Sequence, residues 1–198
     1  MRKMNTILGP VLIILLLIHA ISGSFQLTGL IPGGSTIRNV LSIILLVVTG
    51  IHGIIGVKLT VDTFIAGRHG GRSPFKNNEL FWIKRITGFA IVFLVIYHVI
   101  VFSGGQGEVF RLNTFEGIQL AAHIILTVAV AVHVMAGIKP LCMALGIADR
   151  RFVKDALIVL SVIMLVCAVA FVYYYLRWNV LWKFDSSKVG SLTLVRKC

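Results

Sequence analysis

Residues 40–58 read VLSIILLVVTGIHGIIGVK, and this stretch decides the fold. It is an apolar run whose single ionisable interior residue is His52 and whose first formal charge is Lys58, at its far end. A helix needs roughly 20 residues to cross about 30 Å of hydrocarbon, at ~1.5 Å per residue. Lipid offers no partners for backbone N–H and C=O groups, so a chain crossing it closes its hydrogen bonds within its own segment. The stretch therefore predicts a transmembrane helix with a histidine a little over one turn from its end.

Four further apolar stretches flank it, at Ile7–Ser22, Ile86–Phe102, Ile118–Ile138 and Ala156–Leu176. Hydrophobic residues make up 58% of the chain and charged residues 13%, which leaves no room for a large soluble domain. The expected fold is all-α: an integral membrane bundle of five helices, with a four-helix core and one additional helix. It forms one domain, 1–182, followed by a charged tail, 183–198. The stretch Leu59–Lys84 reads as a longer loop, with an irregular turn at Gly67–Pro74. Gly23–Asn39 and Ser103–Gly117 read as loops on the opposite side. Tyr173, Tyr174 and Tyr175, with Trp178 and Trp182, read as an interfacial aromatic belt.

The formal net charge of +12 resides in loops beside apolar spans. That placement rejects nucleic acid as a partner and points to membrane topology and anionic lipid. With the N-terminus inside, the inner side receives Arg2, Lys3, Lys58, Arg68, Arg72, Lys76, Lys84, Arg85, Lys139, Arg150, Arg151 and Lys154. The short outer loops receive Arg38 and Arg111. The expected location is the cytoplasmic membrane, multi-pass, with a cytoplasmic N-terminus. The five basic residues of the segment after Leu176 run against this rule. The first span also reads as a cleavable signal peptide, from Arg2-Lys3 to Ala20-Ile21-Ser22-Gly23. Cleavage would discard His19.

The chemistry lies in the histidines. His19, His52, His98 and His133 occupy the first four spans, one each. Successive spans alternate in direction, so His19 and His98 share an outer layer and His52 and His133 an inner one. Ionisable residues inside a membrane are costly and are usually functional. Two layers of two neutral imidazoles suit two haem irons, one above the other, each about 7 Å inside the membrane surface and ~15 Å apart. Two motifs repeat on the even helices: His52…Gly56…Lys58 and His133…Gly137…Lys139 both read His-x-x-x-Gly-x-Lys. A glycine one turn from a ligand lets a flat macrocycle approach the backbone, and the lysine can meet a propionate; ordinary small-residue packing gives the same pattern. His123 is an alternative outer ligand, or a contact for a propionate, a quinone or interfacial water. Cys142, Cys167 and Cys198 form neither Cys-x-x-Cys nor Cys-x-x-Cys-His, so any haem is held through nitrogen alone. No carboxylate lies deep in a span, which argues against a proton wire of buried acids. Glu108 and Glu116, with Arg38, Gln119 and His123, are candidates for a quinone site on the outer side.

The stretch Asn78-Glu79-Leu80-Phe81-Trp82-Ile83-Lys84-Arg85-Ile86-Thr87-Gly88, followed by Tyr97-His98-Val99, resembles the third span of succinate dehydrogenase / fumarate reductase cytochrome b subunits. The resemblance is to the five-helix, dihaem branch found in bacteria that use menaquinone. It rests on Arg-x-Thr-Gly with a His near the far end of the helix, on the His-x-x-x-Gly pairs and on Gly146-Ile147 before the fifth span. It extends to about Trp182. It implies two haem b groups, with His52 and His133 on the inner iron and His19 and His98 on the outer. It implies Arg85 beside the inner haem, menaquinone as electron partner, and a flavoprotein and an iron–sulfur subunit on the cytoplasmic face. The glutamate that some members carry near the fourth-helix histidine is absent; Ala131 and Val132 precede His133 here. Two other readings share these physics in part: a dihaem cytochrome b subunit of a hydrogenase or formate dehydrogenase, and a haem-free transporter or anchor.

Overall fold

The computed structural model describes residues 1–69, 79–103 and 116–181. Five helices follow one another: α1 (Arg2–Thr28), α2 (Thr36–His69), α3 (Glu79–Phe102), α4 (Gly117–Ala144) and α5 (Arg150–Leu176). A π-helical turn, Arg177–Leu181, extends α5. All five helices are long and apolar enough to cross a membrane. No strand occurs among the described residues, and the fold is all-helical as the sequence implies. The tail 183–198 lies outside the described residues.

The helices outrun the apolar stretches that announce them. Leu59–Lys84 is not mainly loop: α2 continues to His69 and α3 begins at Glu79. Likewise α1 runs on to Thr28. The polar residues in these extensions are satisfied from within. Ser24 Oγ donates to Ala20 O at 2.8 Å, Thr28 Oγ1 to Ser24 O at 3.0 Å, Thr60 Oγ1 to Gly56 O at 2.7 Å and Thr63 Oγ1 to Leu59 O at 2.7 Å. Such back-bonding to the preceding turn lets a hydroxyl sit in a helix without water. Helix α1 stops at Gly29, whose φ of 81° suits a residue without Cβ. Helix α4 opens with the Glu116 N–H donating to Gln119 Oε1 at 2.7 Å, and α5 with the Arg151 N–H donating to Asp149 Oδ1 at 2.8 Å.

The helices alternate in direction. Near the start of α1, a Cβ on Gly9 would lie 3.0 Å from Leu141 Cδ1, near the end of α4. The end of α1 meets the end of α5, where Leu27, Ala170 and Tyr174 form a buried cluster backed by Phe102 and Leu120. One end of the bundle thus gathers Lys3, Lys58, Lys84, Arg85, Lys139 and the start of α5. The other gathers Arg38 and Arg177. Tyr174 is 1% exposed, so it belongs to this core and not to an aromatic belt; Tyr173 beside it is exposed.

The direct packing is uneven. Helix α1 packs on α2, α3 on α4, and α5 against both α1 and α4. A second buried cluster, Ala131, Leu160 and Met164 with Leu17 and Ala20 against it, also lies where α5 meets α4 and α1. Helix α3 has no fully buried residue. Among the described residues, no Cα of α1 comes within 8 Å of α3, and none of α2 within 8 Å of α4. The four helices stand at the corners of a square whose diagonals stay open. Outside, large apolar side chains such as Ile54, Phe93 and Leu165 are exposed, as a surface facing hydrocarbon requires.

Candidate functional site

The open diagonals are bridged by histidines. His19 on α1 faces His98 on α3 with ring centres 6.0 Å apart and ring planes at 77°. His52 on α2 faces His133 on α4 at 6.3 Å and 84°. Each pair joins two helices whose Cα atoms, among the described residues, stay more than 8 Å apart. The first pair lies toward the Arg38 end and the second toward the Arg85 end.

Each pair has a hydroxyl beside one of its rings. His19 Nδ1 lies 3.0 Å from Ser42 Oγ on α2, and His133 Nδ1 lies 3.1 Å from Thr87 Oγ1 on α3. The remaining two, His52 Nδ1 and His98 Nδ1, are buried without a hydrogen-bond partner. Each pair also has an arginine at its own end. Arg85 Nη1 donates to Gly56 O at 3.0 Å, and its guanidinium lies 4.8 Å from the Phe81 ring centre. Arg38 donates through Nη2 to Pro32 O. The Nε of both arginines is buried and has no partner. An unpaired buried guanidinium N–H is costly, and an anion would satisfy it.

The glycines divide. A Cβ on Gly88 would stand 3.3 Å from His133 Cε1, so this residue of Arg-x-Thr-Gly lets the imidazole close on α3. Gly56 lends its carbonyl to Arg85, whereas a Cβ on Gly137 would meet nothing within 4 Å. The two His-x-x-x-Gly-x-Lys repeats therefore do different work. Lys58 and Lys139 are exposed at the Arg85 end.

His123 lies beside His98, 5.2 Å between ring centres, and is 1% exposed. Phe171, Phe102 and Tyr97 surround it at 5.0, 5.1 and 6.2 Å. Its Nδ1–H donates to Gln119 O at 2.6 Å. Gln119 in turn caps α4, and Glu116 is its N-cap residue. Three of the five outer-side quinone candidates, His123, Gln119 and Glu116, thus have a place in helix packing or capping. Glu108, and the side chain of His69, lie outside the described residues.

Two imidazoles per site are a sparse donor set. No group of three or more His, Cys, Asp or Glu that could hold a metal ion occurs among the described residues. The facing rings do match a metal with non-protein equatorial ligands. With metal–nitrogen bonds of ~2 Å and ring centres about 1 Å behind each nitrogen, two axial imidazoles on one ion have centres about 6 Å apart. Sequence reasoning singled out the histidines and arginines and gave Ser42 and Thr87, which lie beside His19 and His133, no role. The available signal was a small hydroxyl residue near the end of an apolar run, at the depth of the neighbouring helix's histidine.

No curated protein and no solved structure matches this chain. The family model for the succinate dehydrogenase/fumarate reductase transmembrane subunit does match, over residues 71–173, from just before α3 to near the end of α5. That is just over half of the chain, and it contains one histidine of each facing pair, His98 and His133. With five apolar helices and that match, the chain belongs to the succinate dehydrogenase/fumarate reductase transmembrane subunits.

Proposed function

We propose that this chain is the dihaem membrane anchor of a succinate:quinone or quinol:fumarate oxidoreductase. The observation that carries the proposal is the bridging of both open diagonals by histidine pairs at 6.0 and 6.3 Å. His19 and His98 hold the outer haem b and His52 and His133 the inner one. Bound there, haem supplies reversible one-electron chemistry at iron. The protein does the rest. Four neutral imidazoles fix ligation, and the open diagonals admit flat rings. Arg38 and Arg85 offer a buried N–H to a propionate at each end. Lys58 and Lys139 add positive charge at the Arg85 end.

The N-terminus and the Arg85 end face the cytoplasm, following the excess of basic residues there. An iron–sulfur subunit, carrying a flavoprotein that handles the dicarboxylate, docks on that face. Electrons pass between it and menaquinone by way of the inner and then the outer histidine pair. The chain itself performs no C–H chemistry.

The test is a reduced-minus-oxidised spectrum with haem quantification on the purified complex. Two bis-histidine b haems per chain are expected, with α-band absorption in the ~550–560 nm region. A colourless complex contradicts the proposal.

A further inference from the structure

Building on the dihaem reading, we infer that Ser42 and Thr87 are positioning residues. Each accepts the Nδ1 proton of one histidine, Ser42 at the outer pair and Thr87 at the inner, and so turns that ligand's Nε2 lone pair toward the metal. The number of protons on each hydroxyl fixes its role. A hydroxyl has one proton to give and lone pairs to accept with. Ser42 Oγ gives its proton to Arg38 O at 2.9 Å. Thr87 Oγ1 gives its proton to Ile83 O at 2.6 Å. Toward His19 and His133 each oxygen is therefore an acceptor, at 3.0 and 3.1 Å. A neutral imidazole carries one N–H, and here it is placed on Nδ1. Nε2 is left as the lone-pair nitrogen that a metal needs.

The arrangement recurs with different residues on different helices. Ser42 on α2 serves α1, and Thr87 on α3 serves α4. In both cases the hydroxyl stands on a helix adjacent to the histidine it serves and two to four residues after the arginine of that end. The other ligand of each pair, His98 or His52, has no hydrogen bond at Nδ1. Each iron then has one hydrogen-bonded imidazole and one bare imidazole. Donation from Nδ1–H makes an imidazole more basic and favours the ferric ion. Losing the acceptor should raise the reduction potential of that haem alone.

The test is a redox titration of the intact complex carrying Ser42→Ala or Thr87→Val, with the two haems assigned by the histidine variants. Ser42→Ala should increase several-fold the reduced-to-oxidised ratio of the haem held by His19 and His98, at fixed ambient potential, and leave the other unchanged. Thr87→Val should do the reverse. Ser42→Thr and Thr87→Ser, which keep the acceptor, should titrate as the parent does. Ser42→Cys keeps the side-chain volume with a weaker acceptor, so it reads the same effect if the alanine variant does not assemble. Potentials that stay put, or that move together in every variant, overturn the inference while leaving the dihaem reading standing. Absence of haem from the parent complex overturns the dihaem reading itself.

Discussion

The two ends of the slot are assembled from the same parts and finished differently. Each has a facing histidine pair, a hydroxyl on the neighbouring helix and an arginine with a buried Nε. Among the described residues, the Arg38 end adds a third buried histidine, His123, which with His98 meets Phe102 and Phe171. Only the Arg85 end brings its arginine onto a facing backbone carbonyl across the α2–α3 contact and its imidazole onto a glycine. The shared parts are those that the proposed bis-histidine haem sites would use. At the Arg38 end α5 contributes Phe171 and buries Tyr174, whereas the contacts particular to the Arg85 end lie between α2, α3 and α4.

The comparison breaks most visibly at His98 and His123, neighbours with opposite expected behaviour. His98→Phe should halve the haem content of the complex, while His123→Phe should retain both haems and lose the helix-internal hydrogen bond to Gln119, about 1 kcal/mol of stability. Haem quantification on the two variants separates them. If His123→Phe loses a haem, the pairing of His19 with His98 is wrong. Next come the arginines. Arg38→Leu and Arg85→Leu each remove a positive charge that favours the reduced, less positive haem. Each should lower the potential of the haem at its own end by on the order of 1 kcal/mol, tens of millivolts for one electron. A shift in both haems from either variant would show that the two ends are not separate.

The ring planes supply a subtler test. At 77° and 84° the paired imidazoles are nearly perpendicular. With an iron held between them, their π systems would act on different d orbitals and leave these close in energy. Both ferric haems should accordingly give strongly anisotropic low-spin EPR signals; a rhombic signal of parallel ligands from either would contradict that geometry. The smallest effect is expected from Gly88→Ala, whose added methyl must push on His133 at 3.3 Å. A destabilisation of roughly 1 kcal/mol and a perturbed spectrum of the inner haem alone are expected.

Much of this was legible in the sequence because lipid simplifies the reading. A span must be helical, and its direction must alternate with its neighbours, so the depths of His19, His52, His98 and His133 followed from position alone. Helix ends were less legible. Thr60 and Thr63 read as loop residues, yet their hydroxyls return to carbonyls in their own helix. Tyr174 read as belt and is core, because a sequence does not say which side of α5 faces α1. Gly56 and Gly137 read as equivalents and are not, because only Gly56 lies opposite an arginine. Gln119 and His123, candidates for a quinone contact, each also have a hydrogen bond within the first turns of α4.

The central claim is that two crossed histidine pairs each hold one haem. It is tested most directly by redox titration of complexes carrying His19→Ala and His52→Ala. The account predicts that each variant loses one haem component and keeps the other, and that the component lost differs between them. Loss of the same component from both variants, or of neither, would contradict it.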